Sequence, residues 1–107
     1  MALFPANANA PENISGTPVD LTLYNSSNLY EFTSNGYLYV GSNSALGSYG
    51  TASIYDKNGT NVGYVRSSTT VADTPVYNTV YVTKGMKAYG SKHATYGGNS
   101  KFIPMTS

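Results

Sequence analysis

Residues 52–66 read ASIYDKNGTNVGYVR, with the pair Asn58-Gly59 near the centre. Short runs in which apolar and polar residues alternate lie on both sides of this pair, over residues 52–56 and 62–66. Asn-Gly favours a tight hairpin turn because both turn positions need a positive φ angle. The stretch therefore predicts two antiparallel strands joined by a tight turn.

Two segments before this hairpin have the same period of two. In residues 19–24, Val19, Leu21 and Leu23 occupy alternate positions and are expected to face a core. In residues 37–40, Leu38 and Val40 occupy the equivalent positions after the Ser-Asn-Gly turn. Each segment therefore predicts a strand with one face buried.

Three further strands are predicted after the hairpin, over residues 76–83, 86–90 and 101–105. No stretch has the apolar spacing of an amphipathic helix over three turns. About eight short strands in one small chain predict an all-β fold, a small antiparallel β-sandwich that is jelly-roll-like. Pro104 cannot donate to a strand ladder, which restricts the last strand to an edge or places Pro104 at its end.

Residues 1–18 differ from the rest of the chain, because they are rich in proline, repeat the pair Ala-Asn and show no alternation. They predict an extended N-terminal arm before a sandwich domain over residues 19–107. An arm of this kind cannot pack by itself. Its apolar residues Leu3, Phe4 and Ile14 are therefore expected either to lie on the domain or to dock on a partner.

The composition excludes several classes of protein. Charged residues make up only 10% of the 107 residues, the net charge is +1, and there is no basic run, which argues against a nucleic-acid partner. The absence of cysteine excludes disulfide frameworks and thiolate metal sites. Neither a signal peptide nor a membrane-spanning apolar run is recognisable, so we expect a protein made in the cytoplasm with no membrane partner.

Catalytic residue patterns are scarce. His93 is the only histidine, and it lies in a glycine-flanked polar stretch with no Gly-x-Ser-x-Gly motif to supply a nucleophile. The carboxylates Glu31, Asp56 and Asp73 are too sparse to suggest a catalytic pair. No ligand spacing of a metal site is present. The sequence predicts a protein that is not an enzyme and that uses neither a metal nor a cofactor.

The 11 tyrosines are the most informative residues. If Leu38 and Val40 face the core, the tyrosines that alternate with the inward positions face outward, namely Tyr37, Tyr39, Tyr77 and Tyr81. Each ring can bury roughly 150–250 Å² while its hydroxyl stays hydrogen-bonded. Such a face suits another copy of the chain or a sugar ring, although tyrosine also has a high β-propensity and is often half exposed.

Four segments, taken in order, resemble the small jelly-roll modules of tailed-bacteriophage structural proteins. They are residues 32–40 (FTSNGYLYV), 55–60 (YDKNGT), 80–88 (VYVTKGMKA) and 101–105 (KFIPM). Such modules occur in head fibres, tail fibres and baseplate tips. They combine a Gly-Tyr strand, an Asn-Gly hairpin, a Lys-Gly turn and a final Phe-x-Pro strand. Met86 departs from this pattern, since an aspartate is common after the glycine of the turn.

The resemblance implies a homotrimer in which one sheet of each copy lines the threefold axis. It would place Tyr37, Tyr39, Tyr77 and Tyr81 in contact with other copies, and the arm against a capsid or tail protein. We therefore expect a non-enzymatic virion structural protein, a capsid-decoration or head-fibre homotrimer, located in the virion after assembly in the host cytoplasm.

The alternative that the sequence leaves open is a receptor-binding module at the tip of a tail or baseplate. In that role the tyrosines, or the Tyr/Asn-rich loops over residues 43–49 and 96–99, would stack on host surface glycans.

Overall fold

The computed structural model describes residues 16–105, which form eight β-strands and one 3-10 turn. The strands are β1 Val19–Asp20, β2 Tyr30–Glu31, β3 Gly36–Gly41, β4 Tyr49–Tyr55, β5 Asn61–Ser68, β6 Tyr77–Val82, β7 Lys87–Lys92 and β8 Asn99–Pro104, and the turn η1 is Leu21–Leu23. Two four-stranded antiparallel sheets pack against each other, which confirms the predicted β-sandwich.

The strand order makes this sandwich a jelly roll. The first sheet has the order β1-β8-β3-β6, and the second sheet has the order β2-β7-β4-β5. The pairs β4:β5, β3:β6, β2:β7 and β1:β8 are nested, as in one long hairpin that is rolled up into two layers. The additional pairs β3:β8 and β4:β7 complete each sheet.

The predicted hairpin between β4 and β5 is present, but its turn is longer than a two-residue loop. Gly59 has a φ of +87°, whereas Asn58 is not in the positive region. Instead, Oδ1 of Asp56 accepts hydrogen bonds from the backbone N–H groups of Asn58 and Thr60, both at 2.9 Å. The carboxylate therefore organises a five-residue connection in which only one residue needs a left-handed conformation.

The apolar core lies in the half of the sandwich where Phe32 and Phe102 meet. Their rings stack with centroids 4.6 Å apart, and Tyr30 is tilted against both at about 6 Å. Leu38 faces Phe102 across the β3:β8 pair, and neither side chain is accessible to solvent. The other members of this core are Leu21, Val40, Ala52, Ile54, Val82 and Ala88.

The other half of the interior is polar and tightly closed. Oγ of Ser67 donates to the carbonyl oxygen of Val40 and accepts from Nδ2 of Asn78, both at 2.8 Å, so these hydrogen bonds join the two sheets. In the same half, Gly50 of β4 lies against backbone oxygens of the first sheet. A Cβ atom at Gly50 would be 2.1 Å from the carbonyl oxygen of Asn99. The two sheets can meet here only because residue 50 has no side chain.

The first predicted strand is wrong at its end. β1 contains only two residues, and the chain then forms η1, so Leu21 is buried but Leu23 is 74% exposed. Asp20 causes the change, because its Oδ1 accepts from the N–H of Thr22 at 3.0 Å and from its hydroxyl at 2.7 Å. The hydroxyl bond is the main reason that the pKa of Asp20 is lowered.

The last strand lies inside the first sheet, between β1 and β3, and not at an edge. Pro104 is the final residue of β8 and pairs with Gly36, so the second of the two placements expected for this proline is the one observed.

The arm residues Leu3, Phe4 and Ile14 lie outside the described residues. Within residues 16–105, no helix is long and apolar enough to span a membrane.

Candidate functional site

The four tyrosines singled out by the sequence lie together on the outer face of the first sheet. Tyr37 of β3 is directly opposite Tyr81 of β6, and their rings meet edge to face at 5.4 Å. Tyr39 and Tyr77 stack with their centroids 5.6 Å apart. We call these four residues the tyrosine face.

The tyrosine face is less exposed than the alternation alone suggests. Tyr77 and Tyr81 are 55% and 50% exposed, but Tyr37 is only 7% exposed and Tyr39 is half-buried. Burial, helped by the neighbouring Tyr81, raises the pKa of Tyr37. The ring of Tyr39 lies over Gly41, where a Cβ atom would be 2.9 Å from its hydroxyl. The accessible part of the face is therefore carried by β6.

Strand β6 is also an edge strand. Its sequence is YNTVYV, without a charge, a proline or a lysine that would block pairing with another chain. None of the strands described in residues 16–105 pairs with its outer side, since β3 is its one neighbour in the sheet. An uncharged edge of six residues, joined to a tyrosine surface, is a feature that natural proteins normally block or cover.

A second aromatic group, which includes Tyr49 and Tyr96 from the two Tyr/Asn-rich loops, lies on the outer face of the second sheet. The guanidinium of Arg66 lies over the ring of Tyr49, with Cζ 4.1 Å from the centroid. His93 meets Tyr49 edge to face at 5.6 Å and stacks on Tyr96 at 4.7 Å. We call these four residues the Arg66 cluster.

The alternation rule would have found half of this cluster. Ala52 and Val65 point inward as a directly opposed pair. The next pair along the strands, Thr51 and Arg66, therefore faces outward, and so does Tyr49, which is two residues before Thr51 on β4. The same rule places Tyr55, Tyr64 and Tyr89 on this side. Tyrosines therefore lie on the outer faces of both sheets, and not only on the tyrosine face.

His93 has a structural role in its loop. Its Nδ1 accepts hydrogen bonds from the N–H groups of Thr95 and Tyr96, both at 3.0 Å. Because Nδ1 is an acceptor in this arrangement, the neutral ring carries its proton on Nε2. The imidazole thus stabilises the turn that places the ring of Tyr96 against the ring of His93.

Three loops join at the end of the sandwich next to the Arg66 cluster. They cover residues 42–48, 69–76 and 93–98, and we call this region the loop end. The N–H of Asp73 donates to the carbonyl oxygen of Ser44 at 2.9 Å, and Oγ of Ser48 donates to that of Gly97 at 2.8 Å. Nδ2 of Asn43 donates to the carbonyl oxygen of Tyr96. These bonds fix the loops to one another before any partner binds.

Thr69 is the buried centre of these contacts and provides a test of their strength. Its hydroxyl is hydrogen-bonded to Oγ of Ser42, at 2.7 Å, and to the carbonyl oxygen of Asn43. Thr69→Val keeps the shape but leaves these groups without their partner, so we expect the free energy of unfolding to fall by about 1–2 kcal/mol. Urea denaturation measures this change. Thr70→Val, at the exposed neighbouring position, is the control, and an equal loss in both variants would contradict the prediction.

A cavity of about 190 Å³ opens where β1 meets the ends of β7 and β8. Its lining includes Asp20, Lys92 and Lys101, together with Ser100, whose buried Oγ has no partner among the described residues. Both lysines help to lower the pKa of Asp20, so the carboxylate offsets part of their charge.

In the described part of the chain, no group of three or more His, Cys, Asp or Glu residues is arranged to hold a metal ion.

Comparison of this chain with protein families, with curated proteins and with solved structures finds no match.

Proposed function

We propose that this protein is a non-enzymatic structural component of a bacteriophage virion that assembles through the tyrosine face. In this proposal it is a homotrimer that decorates the capsid or forms a head fibre, and residues 1–18 dock it to another virion protein. The observation that carries the proposal is the combination of the tyrosine face with the uncharged edge strand β6.

The charges of the first sheet fit a surface that becomes buried. On its outer face, β3 and β6 carry only tyrosines, a threonine and a glycine at the paired positions. The charged side chains on this face include Lys101 of β8 and Asp20 of β1, which are directly opposite each other and of opposite sign. A partner covering β3 and β6 would not have to desolvate an unpaired charge, which is the main cost of burying a polar surface.

The double variant Tyr77→Ser/Tyr81→Ser tests the assembly. These two rings supply the exposed aromatic area of the tyrosine face, so we expect the trimer to dissociate to monomer at micromolar concentration while the fold is retained. Sedimentation velocity measures the state of association. Tyr64→Ser is the matched control, because Tyr64 is 61% exposed but lies on the second sheet. A wild-type protein that is monomeric at these concentrations would overturn the proposal.

A second candidate function is recognition of host surface glycans by a tail or baseplate tip. The observation that favours it is the loop end, where the loops over residues 43–49 and 96–99 are hydrogen-bonded into one platform. Tyr96 is 48% exposed on this platform and offers a ring on which a sugar can stack. Glycan-array binding that is lost in Tyr96→Ala, with assembly unchanged, would support this function.

A further inference from the structure

Arg66 is the single arginine of the chain, and two contacts hold its exposed side chain in one orientation. Its guanidinium lies over the ring of Tyr49, with Cζ 4.1 Å from the ring centroid. Its Nε donates to Oγ of Ser68 at 2.8 Å. An arginine that is already fixed loses less conformational freedom when it binds a ligand.

The free donors of this arginine suit a carboxylate. With Nε occupied by Ser68, the two terminal amino groups still present a pair of parallel N–H bonds. This fork matches the two oxygens of a carboxylate, and such charge-assisted bonds are about twice as strong as neutral ones. The residues around it are uncharged, since Thr51 lies opposite and Tyr64 and Ser68 lie along the same strand face. The positive charge is therefore not neutralised by its neighbours on the sheet.

The surroundings of the arginine suit a sugar ring. Tyr49, His93 and Tyr96 form a continuous row of rings from the guanidinium to the loop end. An aromatic ring can cover the apolar C–H face of a sugar and bury a large area at little entropic cost. Beside this row of rings, Thr51 and Ser91 share a hydrogen bond between their hydroxyl groups. The sheet surface next to Arg66 therefore carries small polar side chains.

We propose that the Arg66 cluster binds an acidic saccharide, with the sugar ring on the aromatic row and its carboxylate on the terminal amino groups of Arg66. The inference rests on the second candidate function, glycan recognition, and adds to it the requirement for a carboxylate. It places the ligand on the second sheet, away from the tyrosine face that the assembly proposal uses.

The test measures binding of the full chain to three polymers by biolayer interferometry: polygalacturonate, its methyl-esterified form and neutral dextran. We expect polygalacturonate to bind at least about tenfold more tightly than the ester, because the ester removes the charged acceptor but keeps the ring. Arg66→Gln should abolish this preference. Lys57→Gln, which removes the same charge from the β4–β5 turn, should keep it.

The outcomes separate the inference from the functions proposed above. Equal binding of the acid and the ester overturns the carboxylate requirement and leaves glycan recognition standing. No binding to any of the three polymers overturns the carboxylate requirement and glycan recognition together, and it leaves the trimer proposal standing. Competition by free glucuronate but not by acetate supports a site for a sugar acid, whereas equal competition by acetate overturns the role of the sugar ring.

Discussion

Replacing Phe102 by alanine is expected to lower the free energy of unfolding by about 3–5 kcal/mol, the range for removing a large aromatic side chain from a core. Phe102 is fully buried in the central strand β8 and stacks on Phe32. Its ring also fills the space above Gly36, where a Cβ atom would be 2.7 Å from Cε1.

This loss is large in relation to the stability of a small domain, which is typically about 5–15 kcal/mol in total. Urea denaturation followed by circular dichroism measures the effect. Leu46→Ala is the control, because Leu46 is 58% exposed and its removal should change stability by less than about 0.5 kcal/mol. A loss below about 1 kcal/mol for Phe102→Ala would mean that the apolar half of the interior is not a packed core.

Gly50→Ala is expected to destabilise the fold by about 3 kcal/mol, at the upper end of the cost of overpacking. The new methyl group would lie 2.1 Å from the carbonyl oxygen of Asn99 and 2.7 Å from that of Gly41. Both obstacles are backbone atoms of the first sheet, so a change of side-chain rotamer cannot relieve the clash. The sheets must separate at this point, which also breaks the hydrogen bonds of the polar half.

Gly63→Ala is the matched control, since Gly63 lies in the neighbouring strand β5 and the nearest atom to a Cβ there is Cδ1 of Ile54, at 3.6 Å. We expect this variant to be neutral or slightly stabilised, because alanine restricts the unfolded chain. Thermal unfolding of the two variants, side by side, distinguishes a steric effect from a general loss of glycine flexibility. Equal melting temperatures would contradict the close approach of the sheets.

Much of the fold follows from local patterns of the sequence. Counting outward from Asn58-Gly59 as a two-residue turn gives the pairs Ile54:Gly63 and Tyr49:Ser68, and both are observed. The register is right even though the pairing shifts between Ile54 and Tyr55. Strand β2 could not be predicted in this way, because its two residues are too few to show a period.

The candidate sites were predictable only where the alternation along a strand or the register of a hairpin determines them. Alternation places Tyr37, Tyr39, Tyr77 and Tyr81 on one face, but their exposure depends on ring packing across strands and over Gly41. The contact of Arg66 with Tyr49 follows from the hairpin register. The positions of His93 and Tyr96 beside Tyr49 do not follow from the register, because they depend on how the loop after β7 folds against the loop after β3.

The pairing of β1 with β8 gives the molecule a base and a tip. Gly16 lies beside Pro104 at the end of β8, whereas Asn99, at the start of β8, adjoins the loop end. The described chain therefore enters and leaves at the base, and the tip carries the Arg66 cluster. A larger particle bound at the base would therefore leave the proposed saccharide site at the opposite end of the described residues.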